Sequence, residues 1–152
     1  MCGLLYLNLK NNFNFNKNDF KKALELSKYR GRDDQKIIQH KNNYFGFNRL
    51  SIVGTKNSNQ PIHNDEKLLV FNGELYDFDH FNYESDSLNL FDLCNQNKIN
   101  NIEGQYAFVL YDKINNNFEI FRDQFGQKPM YYVDHKNFFI ASSTIKSIIS
   151  LY

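Results

Sequence analysis

The chain has 152 residues, 41% hydrophobic and 23% charged, with a formal net charge of +1. That is length for one domain with its own core, and too even a charge for a surface that tracks nucleic acid. Cys2 and Cys94 form no CxxC pair, LLYL turns polar too soon for a signal peptide, and no apolar run approaches a bilayer span. These features argue against a disulfide framework and a membrane protein, and for a reducing, cytoplasmic setting.

CGLLYLNL reads as a short, largely buried strand, and NNFNFNKN as the loop after it. NDFKKALELSK then offers Asn18 as a helix cap, Asp19 in the first turn, and Phe20, Ala23 and Leu24 on one face,. KYRGRDDQ is a charged loop. QKIIQHKNNYFGFNRLSIV reads as two strands about a polar turn at HKNN, with NSNQPI as punctuation around Pro61,. KLLVFNGELY predicts a strand running into a turn at Asn72 and Gly73, because Asn-Gly behind a hydrophobic run is a hairpin signal,. ESDSLNLFDLCNQ predicts a second helix capped by Ser85, with Cys94 filling core. Two hairpins follow, one through INNN and one through DHKN, and TIKSIISLY closes as a short helix. Roughly eight mostly antiparallel strands with two main helices predict an α+β layered sandwich.

A cysteine behind the initiator methionine raises a chemical possibility. Removal of Met1 leaves an amine and a thiol on one residue, and an α-amine titrates near enough to neutrality to serve as a base. Alone, Cys2 reads as a small buried hydrophobe opening the first strand. His40, His63, His80 and His135 show no metal-ligand spacing and read as exposed or turn histidines,.

Further stretches change the reading of Cys2. RGRDD (Arg30 to Asp34), NRLSIV (Asn48 to Val53), FNGELYD (Phe71 to Asp77) and FRDQFGQKPMYY (Phe121 to Tyr132) follow MCG in this order. Together with SDS (Ser85 to Ser87) and EGQYAFVLYD (Glu103 to Asp112), they resemble class II glutamine amidotransferase domains. The likeness is greatest to the glutaminase domain of glutamine-hydrolysing asparagine synthetases, to which RDxFGxKPxYY and the RGxDD loop point. It covers essentially the whole chain.

The resemblance implies a four-layer αββα sandwich of the N-terminal nucleophile hydrolase type. It implies hydrolysis of L-glutamine to glutamate and ammonia without metal or organic cofactor. Cys2 would be the nucleophile, and Asn72 with the Gly73 N–H the oxyanion hole. Arg49, Leu50, Ile52, Glu74 and Asp86 would bind substrate. Arg49 supplies a planar fork for the α-carboxylate, and Asp86 with Glu74 accepts the α-ammonium. Arg30, Gly31, Asp33 and Asp34 would belong to a mobile loop folding over glutamine, with a plain charged turn as the rival reading. Arg122, Asp123, Gly126 and Lys128 read as structural, an ion pair and a tight turn.

The chain departs from the family pattern in places. Arg32 stands where proline is usual, Asn48 replaces a histidine, Gly54 an acid, the segment between Asp77 and Ser85 is short, and SSTIK differs from Ser-Glu-x-Lys. No Ser-Gly-Gly-x-Asp-Ser loop occurs in the 152 residues. The expectation is therefore one glutaminase domain over 1–152 with no synthetase domain, feeding ammonia to a separately encoded synthetase-like partner. The alternative is a catalytically silent glutamine-binding or assembly module of the same fold.

Overall fold

In β1 (Gly3–Leu9) successive side chains go to opposite faces, and both faces are apolar. Leu4 and Tyr6 enter one core, while Leu5, Leu7 and Leu9 enter another. A strand buried on both sides must lie inside a layered structure. The computed structural model describes residues 1–11, 13–51, 59–76, 83 and 85–152 and shows those layers.

One sheet has the order β2-β3-β1-β9-β8, built from β1, β2 (Asp34–His40), β3 (Asn43–Arg49), β8 (Tyr131–Asp134) and β9 (Phe138–Ser142). The other has the order β4-β5-β6-β7, from β4 (Ile62–His63), β5 (Lys67–Leu75), β6 (Gly104–Asp112) and β7 (Asn117–Arg122). Every pairing is antiparallel. Leu4, Tyr6 and Phe45 of the first sheet meet Leu68, Val70, Val109 and Tyr111 of the second between the sheets.

The outer faces are covered by helices. Phe20, Ala23 and Leu24 of α1 (Lys17–Glu25), with Ile148 of α3 (Ile145–Leu151), pack on Leu5, Leu7 and Ile140. Leu90, Phe91 and Cys94 of α2 (Asp86–Asn95) pack on Leu69, Phe71 and Phe108. Three hydrophobic cores separate four layers, the αββα sandwich. Cys94 lies in the outermost core, where burial pushes its thiol up to about 12. No helix among the described residues is long and apolar enough to cross a membrane.

Three local expectations need correction. The cap of α1 is Asn16, whose extended backbone lets its side chain accept the Asn18 N–H at 3.0 Å; Asn18 is already in the first turn,. At α2, Ser85 holds the cap position, but its hydroxyl pairs with Ser87 at 2.8 Å instead of with a helix N–H. No turn occurs at Asn72-Gly73. β5 runs through both residues, opposite Ala107 and Tyr106.

The reason is tertiary. A Cβ on residue 73 would stand 2.3 Å from the Gln105 carbonyl oxygen, so glycine is used here for close approach of two strands,.

Candidate active site

Strand alternation builds the site. Counting by two along the inner face, β1 presents Tyr6 and Leu4, and Cys2 continues that face just ahead of the strand. β5 presents Leu68 and Val70 to the same core and then Asn72. On β3, Gly46 faces α1, so Phe45, Phe47 and Arg49 take the inner side,. The apolar core thus turns polar at one end, where Cys2, Arg49 and Asn72 succeed hydrophobic residues.

The nitrogen, carbonyl oxygen and sulfur of Cys2 are each held by a different part of the chain. Its sulfur accepts the Leu50 N–H at 3.4 Å and lies 3.8 Å from the Leu50 carbonyl oxygen. Its nitrogen donates to Asn72 Oδ1 at 3.1 Å, and its carbonyl accepts Arg30 Nε at 2.9 Å. The thiol therefore points into the polar end of the sandwich. Met1 is 54% exposed, touched through its sulfur by Arg30 Nη2.

Asn72 is buried, yet only half of its carboxamide is satisfied. Oδ1 takes the Cys2 N–H, while Nδ2 has no hydrogen-bond partner among the described residues. Leaving a buried donor unmade costs about 1–3 kcal/mol. An orphan donor on the group that holds Cys2 is what an absent carbonyl oxygen would satisfy.

The neighbouring Gly73 N–H can be placed from the register. Tyr106, its partner on β6, sends its N–H to Asp123 Oδ2 and accepts the Asp123 N–H at its carbonyl. Both main-chain groups of Tyr106 therefore face β7, so the Gly73–Tyr106 pair is a non-hydrogen-bonded one,. The Gly73 N–H consequently faces the opposite edge of β5.

Arg49 ends β3, nearly buried, with Nη1 donating to Asn59 Oδ1 at 2.6 Å. Glu74 accepts from Gln105 Nε2 at 3.0 Å and lies 4.0 Å from Lys128 Nζ. Asp86 opens α2 half-buried. Burial is the main cause raising its pKa and the nearby Glu74 charge adds to it, against a hydrogen bond from the Leu75 backbone. The Glu74 charge is thus one of the causes that hold the Asp86 carboxyl up, behind burial,. Ile52 lies outside the described residues, as do Gly54, Asp77 and His80.

Cys2, Leu50 and Asn72 are thus in direct contact, with Arg49 and Gly73 adjacent to them in the chain and Glu74 and Asp86 beyond.

The RGRDD segment is braced. Lys28–Arg30 form a 3-10 turn that aims Arg30 at the Cys2 carbonyl, and a Cβ at Gly31 would stand 2.2 Å from the Asn48 carbonyl oxygen. Asp33 donates its N–H to the Arg49 carbonyl at 3.0 Å and accepts the Ser51 N–H at 2.6 Å, and Asp34 begins β2. Gly31 is buried against the end of β3, while Arg32, Asp33 and Asp34 are exposed.

Arg122 and Asp123 bind backbone instead of each other. Arg122 donates to the Lys128 carbonyl at 2.9 Å and the Gly126 carbonyl at 2.6 Å. Asp123 gathers the N–H groups of Tyr106, Phe125, Gln127 and Lys128.

Two features escaped the sequence reading. Asn48 binds the Leu24 carbonyl at 2.8 Å and Ser27 Oγ at 2.9 Å and accepts Gln35 Nε2 at 2.7 Å, tying the end of α1 behind Arg49 and Leu50. Gln60, read as part of a loop, bonds both main-chain groups of Phe71, next to Asn72. Its only sequence signal was the Gln-Pro dipeptide, which marks a break in structure and says nothing of a side chain copying a strand.

An αββα sandwich with a thiol at the mouth of its central strand is the architecture of N-terminal nucleophile hydrolases. Comparison with known proteins narrows this. Residues 1–152 match the family described as glutamine amidotransferase domain, and the chain belongs to that family. It is 32% identical over 136 residues to asparagine synthetase (glutamine-hydrolyzing) 2 of Bacillus subtilis, covering 80% of this chain and 18% of that protein. Against asparagine synthetase B (glutamine-hydrolyzing) of Escherichia coli it is 32% identical over 142 residues, 80% of this chain and 26% of that one. Against amidase chry2 of Gibberella zeae it is 31% identical over 146 residues, 84% and 22%. The chain therefore spans between 18% and 26% of the length of these relatives.

Proposed function

We propose that the domain hydrolyses L-glutamine to glutamate and ammonia, with Cys2 as nucleophile once Met1 has been removed. The observation that carries this reading is the half-satisfied Asn72 carboxamide, which holds the Cys2 nitrogen through Oδ1 and has a buried, unmatched Nδ2. Removal of Met1 turns that nitrogen into an amine, which keeps one N–H on Asn72 and has a lone pair for the thiol proton.

The amine takes the thiol proton and sulfur attacks the side-chain carbonyl carbon, forming a C–S bond and an oxyanion. Asn72 Nδ2 and the Gly73 N–H donate to that oxygen, each contributing a few kcal/mol to lowering the barrier. The C–N bond breaks, ammonia leaves with the proton held by the amine, and a glutamyl thioester remains. Water then attacks and gives its proton to the amine; the C–S bond breaks, the leaving sulfur takes that proton back, and glutamate is released.

Arg49, oriented by Asn59, pairs with the α-carboxylate, and Asp86 with Glu74 accepts the α-ammonium. A ligand lacking either charge leaves its partner unmatched, which selects a free amino acid. Leu50 supports the thiol through its backbone. Ile52 joins the substrate-binding set by resemblance.

In our reading the ammonia serves an asparagine-synthetase-like activity, supplied by a separately encoded partner; the names of the relatives support the activity. Intact-mass measurement is the first test, with loss of Met1 expected. Glutamate release by the wild type and its loss in Cys2→Ala is the second. A retained Met1 or equal rates would sink the mechanism.

A further inference from the structure

We propose that Gln60 is a positioning residue for this reaction, forming the last rung on the open edge of β5 and so reserving the next rung, the Gly73 N–H, for the substrate oxygen. Asn59 beside it sets Arg49, so that one dipeptide spans from the carboxylate clamp to the oxyanion donors. This rests on the glutaminase reading above and concerns how its site is held to measure.

Asn64 donates its N–H to the Lys67 carbonyl at 3.1 Å, and Ile62 pairs with Leu69, so Lys67 and Leu69 turn their main-chain groups toward β4. By alternation Phe71 and Gly73 face the same way. β4 is only two residues long and cannot reach Phe71. There the Gln60 side chain replaces it. Oε1 accepts the Phe71 N–H at 2.6 Å and Nε2 donates to the Phe71 carbonyl at 2.9 Å, with Gln60 only 7% exposed.

A carboxamide sets an acceptor atom and a donor atom side by side, as one edge of a strand residue does, and among the described residues no main-chain strand continues past it,. The ladder ends one rung short of Gly73. A main-chain strand at this place would run on and occupy the glycine N–H.

The adjacent side chain faces the other half of the site. Asn59 Oδ1 accepts from Arg49 Nη1 at 2.6 Å. The two anchors for glutamine's ends, Arg49 on one sheet and the Asn72-Gly73 edge on the other, are therefore linked through two consecutive residues. A short covalent link of that kind fixes a distance and selects side-chain length.

The experiment compares wild type, Cys2→Ala, Gln60→Glu and Asn59→Ala by glutamate release and by labelling of Cys2. The probes are a diazoketone analogue of L-glutamine and, lacking the amino-acid end, iodoacetamide. All rates are taken per folded protein, from a thermal melt.

Gln60→Glu keeps the shape but loses the donor while ionised, and kcat is expected to fall about 10–100-fold at neutral pH, with KM within about threefold. Iodoacetamide labelling stays at the wild-type rate. As pH is lowered the ratio of variant to wild-type kcat recovers, because a protonated carboxyl restores acceptor and donor. Asn59→Ala is expected to raise KM about tenfold with kcat within about threefold, and to narrow the preference for glutamine over asparagine.

If wild type neither releases glutamate nor takes the diazoketone on Cys2, the glutaminase reading fails and this inference with it. If wild type does both but Gln60→Glu keeps wild-type kcat across pH, the inference alone is overturned. Should Gln60→Glu not fold, Asn59→Ala decides: an unchanged KM overturns the proposal, and the expected split upholds it.

Discussion

Asp86 carries a conflict that one substitution exposes. Burial raises its carboxyl above the ordinary range, and the Glu74 charge pushes the same way. A carboxyl raised in the fold opposes folding in its charged form, a penalty present at neutral pH and relieved as pH falls through the folded value. Asp86→Asn should therefore melt slightly higher than wild type at pH 7, since Asn Oδ1 still accepts from Leu75. In the proposed function the same change should raise KM for glutamine at least about tenfold, because the ammonium loses its partner. Wild-type KM should climb in acid at a pH above that of an ordinary aspartate, and the variant should lack that limb. KM against pH for both proteins, beside their melts, checks the pair.

Between elements, the decisive contacts are backbone against backbone. Gly31 lies so close to the end of β3 that Gly31→Ala, with its Cβ 2.2 Å from the Asn48 carbonyl oxygen, must push the two apart. Overpacking of this sort costs about 1–3 kcal/mol, read as a lowered melting temperature. Since Arg30 holds the Cys2 carbonyl, glutamate release should fall in the fraction that remains folded. The turn after β7 is governed by Asp123. Burial works to raise its pKa, but hydrogen bonds from Gln127, Lys128, Tyr106 and Phe125 outweigh it and the pKa is lowered. A lowered carboxyl stabilises above its unfolded value and loses that contribution as pH falls through the folded one. Asp123→Ala should cost about 2–3 kcal/mol at pH 7 in chemical denaturation, and the gap to wild type should shrink in strong acid.

Across the whole molecule, one layer serves both stability and site. The core between the sheets contains Leu4 and Tyr6, and Cys2 follows on the same face. Leu4→Ala should cost about 2–5 kcal/mol by urea denaturation and should also slow Cys2 labelling by the diazoketone, because the cavity opens beneath the nucleophile. Leu5→Ala, on the helix side, should match it in stability while leaving labelling nearer wild type. Equal labelling losses in both would detach the inner core from the site.

The 152 residues by themselves determined the strands and helices, because period-two and helical alternation depend on neighbours a few positions apart. They also determined the family, since its motifs stand in order along the chain. The ordered set MCG, NRLSIV, FNGELYD and SDS marks Cys2, Arg49, Asn72, Gly73 and Asp86 as the candidates by resemblance. What the tertiary structure alone decided was every relation across sheets. Asn-Gly makes a turn in an isolated hairpin, yet here β6 runs close enough to hold Gly73 in a strand. Arg122 and Asp123 are sequence neighbours of opposite charge, yet each finds backbone groups brought to it by the fold. Gln60 looks like loop filler until Phe71 arrives beside it from eleven residues away. Such contacts depend on which strand edges are left unpaired, and that depends on topology, which local pattern does not encode.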